Sequence, residues 1–400
     1  MNILFLTILK INKISERGIY TDLIRKFRDE GHNVYVVTPT ERRCNEKTEL
    51  FISEDVNVLR VKTLNIQKTN IFEKGAGIVL LGYQFTYHVQ RFFKDIKFDL
   101  ILYATPPITF TNVVRVIKKR DHAKAYLMLK DIFPQNAVDL GMLKRNGLMH
   151  KFFRQKEKLM YKISDYIGCM SPANVKYVIS HNPYISPQTV EVCPNCIEPE
   201  KKYLQRKDSE ILRKKYKISA SATIFIYGGN LGKPQGLDFM LQVLKSNNNK
   251  QDRFFIIVGT GTEQKKIEKW FSEQNITNSV YLMGVTKTEY DKIVQLCDVG
   301  LIFLDKRFTI PNYPSRLLSY LEYKMPVLIA TDMYSDLGEI AMQNNYGFFS
   351  LHGDIESYNR NLEVLIGNKE LIKEMGENGH NYLLNNYTVD HAYKTIMNHF

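Results

Sequence analysis

Four short segments of this 400-residue chain hold residue types that can act on an anion or a hydroxyl. The first is Tyr227-Gly-Gly-Asn-Leu-Gly-Lys-Pro-Gln-Gly236, between an apolar run and the amphipathic stretch Leu237 to Leu244. Glycines at a strand-to-helix turn let backbone N–H groups approach a phosphate, and the helix start favours negative charge. Lys233 adds a point charge. The order matches neither G-x-G-x-x-G nor G-x4-G-K-[ST], so the same glycines also fit a turn that serves packing alone. The second segment is Val258-Gly-Thr-Gly-Thr-Glu263. It lacks the third glycine and the later acidic residue of a dinucleotide site, and in isolation it reads as a glycine turn.

The third segment is Ile310-Pro-Asn-Tyr-Pro-Ser-Arg-Leu-Leu-Ser-Tyr-Leu-Glu-Tyr-Lys324. Pro314 and Ser315 suit a helix start. Ser315, Arg316 and Leu317 would then present free backbone N–H groups beside the Arg316 guanidinium, which is a diphosphate clamp. The alternative is an ordinary capped helix with a solvated arginine. The fourth, Leu129-Lys-Asp-Ile-Phe-Pro-Gln-Asn136, puts Asp131 beside Lys130 at the end of an apolar run. A catalytic carboxylate would lie there, and so would an aspartate that caps a loop.

Other chemistries lack their residues. Cys193-Pro-Asn-Cys196 has metal-like spacing but no second Cys or His pair near it, so no zinc is expected. No D-x-D occurs, so no carboxylate pair is set for a divalent metal on a sugar diphosphate. No H-E-x-x-H, G-x-S-x-G or Ser/His/Asp signature argues for a hydrolase. No cofactor is implied.

The elements that must position these segments alternate. Apolar runs at Ile3–Thr7, Val34–Thr38, Val56–Val61, Leu100–Tyr103, Tyr126–Leu129 and Tyr166–Met170 are separated by helical patterns at Ile19–Glu30, Ile78–Phe93 and up to Lys119. Gly31 stands where a helix-ending glycine would. Further strands are predicted at Thr223–Tyr227, Phe254–Val258, Val280–Met283, Val299–Phe303 and Pro326–Ala330, each followed by a helical pattern. Continuous apolar strands alternating with helices predict α/β architecture with parallel sheets covered on both faces. The breaker-rich Val192-Cys-Pro-Asn-Cys-Ile-Glu-Pro stretch predicts a linker between two doubly wound domains, 1–194 and 195–386, with a last helix at 387–400. Ligands in such folds bind beyond the carboxyl ends of the strands, and the cleft between two such domains is the expected site.

Composition narrows the partners. An apolar share of 44% with 12% aromatics excludes disorder, and 22 Gly with 13 Pro and no internal period exclude collagen-like and repeat chains. Fifty-five Lys+Arg against 42 Asp+Glu, a net +13, favours anionic partners. No aromatic-basic nucleic-acid module is present, so nucleic acid is not expected. Five scattered cysteines fit a reducing compartment rather than a disulfide framework. Met1 to Leu9 lacks a charged leader region and reads as a buried strand, and no apolar run reaches the ~18 residues of a membrane span. Lys144 to Lys162 carries seven cations against Glu157, with Leu148, Phe152, Leu159 and Ile163 at helical spacing. It would rest on anionic lipid or pack on its own sheet with a charged outer face.

In order and spacing these segments resemble the retaining GT-B glycosyltransferases of family 4, in particular a bacterial surface-polysaccharide branch similar to L-fucosamine-type transferases. The carriers are Ser15-Glu-Arg-Gly-Ile-Tyr-Thr-Asp-Leu with Gly31-His32, Lys130-Asp-Ile-Phe-Pro, Pro194-Asn195, Gly229-Asn-Leu-Gly with Gln235-Gly236, Val258-Gly-Thr-Gly, Gly284-Val, Cys297-Asp298-Val, and Pro314-Ser-Arg-Leu-Leu with Pro326-Val. The resemblance implies two Rossmann-like domains, the N-terminal one holding an acceptor and the C-terminal one a nucleotide-sugar donor. On that analogy Gly228, Gly229, Asn230 and Lys233 lie by the donor phosphates, Ser315, Arg316 and Leu317 hold the diphosphate, and Gly284 and Val285 lie by the nucleobase. Gly18 faces the donor from the N-terminal loop, and Asp131 stands at the acceptor side. The catalytic residues so implied are Asp131, Lys233 and Arg316. Many members carry a Glu for ribose or sugar hydroxyls where this chain has Ser319; Glu322 and Lys324 replace a small residue and a Gly, and Cys196 replaces a linker Gly.

The implied activity is a metal-independent, retaining transfer from a UDP-sugar, of the N-acetylated amino-sugar kind, to a lipid-linked saccharide in capsule, exopolysaccharide or O-antigen synthesis. The chain would be cytoplasmic and peripheral on the inner face of the cell membrane. The Ser319 departure leaves two alternatives open: a sugar-nucleotide-binding subunit without turnover, or a sugar-nucleotide epimerase of the same fold.

Overall fold

The computed structural model describes residues 1–66, 71–200 and 206–400. Contacts divide the chain into one unit of Met1–Glu198 with Thr388–Phe400 and a second of Pro199–Tyr387. The first unit runs β1 (Asn2–Leu6), α1 (Ile19–Asp29), β2 (Asn33–Glu41), β3 (Glu49–Ser53), β4 (Val56–Thr63), α2 (Ile71–Phe92), β5 (Leu100–Ala104), α3 (Thr111–Asp121), β6 (Lys124–Leu129), α4 (Gln135–Asp139), α5 (Leu148–Ile163), β7 (Tyr166–Cys169), α6 (Pro172–His181) and β8 (Val190–Val192). The second runs α7 (Arg206–Lys215), β9 (Thr223–Gly228), α8 (Leu237–Ser246), β10 (Arg253–Val258), α9 (Gln264–Glu273), β11 (Ser279–Leu282), α10 (Lys287–Leu296), β12 (Val299–Phe303), α11 (Arg316–Glu322), β13 (Val327–Thr331), α12 (Leu337–Gln343), β14 (Gly347–Leu351), α13 (Ile355–Leu365) and α14 (Lys369–Asn386). A final helix, α15 (Val389–Met397), belongs to the first unit.

Among the described residues the first sheet has the order β3-β4-β2-β1-β5-β6-β7-β8 and the second β11-β10-β9-β12-β13-β14. The apolar runs become strands because both faces of each sheet are covered: every residue of β5, β9, β10, β12 and β13 is buried. Chain order reverses between β1 and β5 in the first sheet and between β9 and β12 in the second. Those switch points open a crevice beyond the carboxyl ends of the strands. The loop holding Gly18 follows β1, and Gly228 ends β9 where the next loop begins.

Three strands carry no warning in the sequence pattern. β3 pairs antiparallel with β4, so the first sheet departs from the all-parallel expectation at one edge. Its Ile52 is 71% exposed, which breaks the apolar signature. β8 has three residues, and β14 opens on a glycine. Gly31, at φ +83°, follows α1 as a helix-ending glycine should. Cys193 and Cys196 lie in the core of the first unit rather than in a linker, beside Ala392 and Ile396 of α15. Among the described residues no helix is long and apolar enough to cross a membrane.

Candidate functional site

The turn after β9 is built by contacts that span the second unit. The Gly228 N–H donates to the Tyr320 hydroxyl at 3.0 Å, and that hydroxyl reaches the Ile226 carbonyl at 3.2 Å. Tyr320 is fully buried on α11, so this helix is pinned beneath the turn. The Gly229 N–H donates to Val258 O at 2.9 Å, and Leu231 N–H to Thr260 O at 2.9 Å. The two glycine segments therefore lie against each other. A Cβ at Gly259, where φ is +155°, would sit 1.9 Å from Gly229 O, and one at Gly228 would sit 2.1 Å from the Tyr290 hydroxyl. The glycines of the second segment thus serve close packing of one turn on the other.

Arg316 enters this turn from α11. Its Nη2 donates to Gln235 Oε1 at 2.8 Å, and its guanidinium lies 4.3 Å from the Tyr227 ring centroid. A Cβ at Gly229 would be 3.4 Å from the guanidinium carbon. Nη1 is buried and has no hydrogen-bond partner among the described residues. Burial works against the Arg316 charge, but Tyr227 and Tyr320 more than offset it. A buried donor left unmade costs about 1–3 kcal/mol, so the nook is poised for an acceptor atom, and its charge selects an anionic one. Lys233 opens the 3-10 turn Lys233–Gln235 two residues before Gln235. It is exposed and makes no ion pair among the described residues. Gly229 and Asn230 are exposed at the same mouth.

The fold therefore brings Gly228, Gly229, Asn230, Lys233 and Arg316 to one turn. Part of the expected helix-start clamp is absent. The Leu317 N–H is not free, because it donates to Pro314 O at 3.3 Å, and the Leu317 side chain is fully buried. Ser315 is exposed with helical φ of −64° and caps nothing with its hydroxyl. Ser319 is half-buried on α11. Gly284, exposed at φ +67°, and Val285 follow the edge strand β11, two strands from β9. The Thr286 capping box then starts α10, which carries Tyr290 back to Gly228. Glu322 is a buried carboxylate that accepts the Glu200 N–H at 2.8 Å, tying α11 to the start of the second unit.

In the first unit Gly18 and Asp131 follow β1 and β6. The Gly18 N–H is taken by Asp22 Oδ1 at 2.8 Å. Buried Asp22 also accepts from Arg25 at 2.8 Å and from the Glu198 N–H at 3.0 Å, which fixes the loop. Thr105, just past β5, accepts the N–H groups of Lys130 (2.9 Å) and Asp131 (3.2 Å). Asn136 Nδ2 donates to both Asp131 oxygens, at 2.8 and 2.7 Å. Burial nonetheless raises the Asp131 carboxyl to about 6. Lys130 turns inward, donating to Cys193 O at 3.1 Å, and burial lowers its ammonium. No cluster of three or more metal-ligating side chains occurs among the described residues.

Gln235, Tyr227 and Asn136 had a signal, since they stand inside the quoted segments. Tyr320 and Asp22 also stand inside quoted segments, but nothing there marked their roles, because their partners lie far along the chain or depend on the loop path.

Two family models match in tandem: Glycosyltransferase Family 4 over residues 19–201 and Glycosyl transferases group 1 over 208–382. A probable glycosyltransferase of Pseudomonas aeruginosa, WbjE, is 21% identical over 342 residues, 84% of this chain and 82% of its own. An uncharacterized glycosyltransferase of Methanocaldococcus jannaschii, MJ1059, is 26% identical over 214 residues, and the match spans only 50% of that relative and 51% of this chain. Among solved structures, Anabaena HepE in complex with UDP superposes with a TM-score of 0.69 at 14% identity, covering 100% of this chain and 99% of that one.

Proposed function

We propose that this chain, a glycosyltransferase of the GT-B type similar to family 4, moves a sugar from a UDP-sugar to a lipid-linked saccharide with retention of configuration. The carrying observation is the buried, unpartnered Nη1 of Arg316, held by Tyr227 and Gln235 under the Gly228–Gly229 turn. Such a nook suits a β-phosphate oxygen, and the HepE complex with UDP supports the same nucleotide here. As the C1–O bond to the diphosphate breaks, negative charge grows on the β-phosphate. Arg316 and Lys233 meet it with fixed positive charge, which stabilises the transition state without reorganisation. The acceptor hydroxyl attacks on the leaving-group face, and its proton passes to the departing phosphate oxygen. Asp131, clamped by Asn136, orients that hydroxyl.

The resemblance to the surface-polysaccharide branch supports an N-acetylated amino sugar as the donor sugar and assembly of capsule, exopolysaccharide or O-antigen as the setting. The cationic α5 with its exposed Leu148 and Met149 supports a peripheral position on the inner membrane face. The test is a UDP-sugar screen by mass spectrometry in excess chelator, with membrane lipid extract as acceptor. Sugar appearing on an extracted lipid supports the scheme; a strict Mn²⁺ requirement, or no transfer from any UDP-sugar, overturns it. Ser319, where many relatives carry Glu, favours a second reading as a nucleotide-binding subunit. Calorimetric UDP binding with no turnover across that screen selects it.

A further inference from the structure

The first unit holds a polar cavity of about 180 Å³ beside the segment that clamps Asp131. Its wall includes Pro134 and Gln135, next to Asn136, together with Arg145, His150, Arg154 and Glu157. Arg154 is fully used: it pairs with buried Glu157 and donates to His181 O at 3.0 Å and Asn182 Oδ1 at 2.7 Å. Glu157 is spent on Arg154 and on the Tyr161 hydroxyl at 2.9 Å. The open donors are therefore elsewhere. Arg145 is exposed and makes no ion pair among the described residues. The Asn146 N–H donates to His150 Nδ1 at 3.1 Å, which leaves the His150 proton on Nε2. These two groups give the cavity a net demand for an anion.

The same segment carries an apolar rim. Met142 is 62% exposed, Leu148 88% and Met149 55%. Phe152 follows with Lys156 over its ring at 5.6 Å. Exposed apolar groups interleaved with cations suit the surface of a lipid whose head is anionic. The cavity lining thus runs, through chain neighbours, into the exposed Leu148 and Met149 beside His150 on one side and into the Asn136 clamp on Asp131 beside Gln135 on the other.

A lipid-diphosphate saccharide has the same order of parts: a hydrocarbon tail, a diphosphate and sugar hydroxyls. We infer that Arg145 and His150 bind the diphosphate of the acceptor lipid, with its tail over Leu148 and Met149 and its sugar toward Asp131. This rests on the reading of Asp131 as the acceptor side.

The test is calorimetry on the full chain with UDP saturating, so that diphosphate probes cannot enter the donor turn. The probes are submicellar farnesyl diphosphate, inorganic diphosphate, farnesol, and phosphatidylglycerol vesicles. Farnesyl diphosphate binds more tightly than inorganic diphosphate, and Arg145→Ala weakens both by about tenfold or more, the size of a charge-assisted hydrogen bond. Leu148→Ser and Met149→Ser weaken only the farnesyl probe, and UDP affinity is the same in every variant. Farnesol binding as well as farnesyl diphosphate, or indifference to Arg145→Ala, overturns the site. So does a loss confined to the vesicles, which assigns these residues to bilayer headgroups. If UDP does not bind while farnesyl diphosphate still depends on Arg145, the donor reading falls and this site stands.

Discussion

Replacing Arg316 with alanine separates its contribution to the fold from its contribution to the proposed reaction. In the folded chain the Arg316 guanidinium donates to Gln235 at 2.8 Å and lies 4.3 Å from the Tyr227 ring centroid. Stranding the Gln235 oxygen costs about 1–3 kcal/mol, and losing the ring contact costs about 0.5–2 kcal/mol. Truncation also removes the burden of the buried, unpaired Nη1, about 1–3 kcal/mol in the other direction. The net runs from a gain of about 1.5 to a loss of about 4 kcal/mol, and at about 2–4 °C per kcal/mol for a unit of this size Tm falls by no more than about 16 °C. The transition state loses more, because a preorganised donor at the growing phosphate charge is worth about 10²–10³ in kcat. Arg316→Lys keeps the charge but cannot both stack on Tyr227 and donate to Gln235, so its rate lies between. Lys233→Ala, at an exposed residue without an ion pair, leaves Tm unchanged while lowering turnover. The assay is UDP release by the purified chain, with thermal unfolding followed by circular dichroism. Wild-type turnover in Arg316→Ala, or a Tm drop well beyond about 16 °C, refutes the assignment of this nook to a phosphate.

Gly259→Ala forces a Cβ to within 1.9 Å of Gly229 O at a φ of +155°, so the turn must shift; UDP affinity measured by calorimetry falls along with Tm, and an unchanged affinity would detach the two glycine turns from donor binding. Burial raises the Asp131 carboxyl to about 6, against 3.8 for the unperturbed group. Its folded value is the higher one, so its ionisation costs stability that is fully felt above pH about 6 and absent below about 4. Asp131→Asn flattens that part of the stability profile in denaturant titrations at stepped pH. If the carboxylate orients the acceptor, wild-type transfer also falls as pH drops through about 6, and the variant lacks that limb; an identical profile in both excludes Asp131 from the step.

Much of this architecture is written locally. The runs at Ile3, Val34, Leu100, Thr223, Phe254 and Val299 became buried strands, because a short continuous apolar stretch hides its side chains best between the covered faces of a parallel sheet. β3 escaped notice for the converse reason, as an edge strand with Ile52 in solvent has no periodic burial to announce it. The helix start at Ser315 shows the limit of a local rule. Helix-start residue types predicted three free N–H groups, whereas a tight turn back to Pro314 consumed the one on Leu317.

The order of residues by itself determined the alternation of strand and helix, the glycine turns after β9 and β10, and the placing of Asp131, Lys233 and Arg316 at element ends. These depend on dihedral preferences and burial periods that act over a few residues. Only the tertiary structure decided that Arg316 lies under the Gly228–Gly229 turn with one nitrogen unanswered, that Tyr320 supports Gly228 from 92 residues away, and that Gln135 and Arg145 line one polar cavity. Those facts depend on which strands become neighbours, and that choice is made by the packing of the whole sheet rather than by any segment within it.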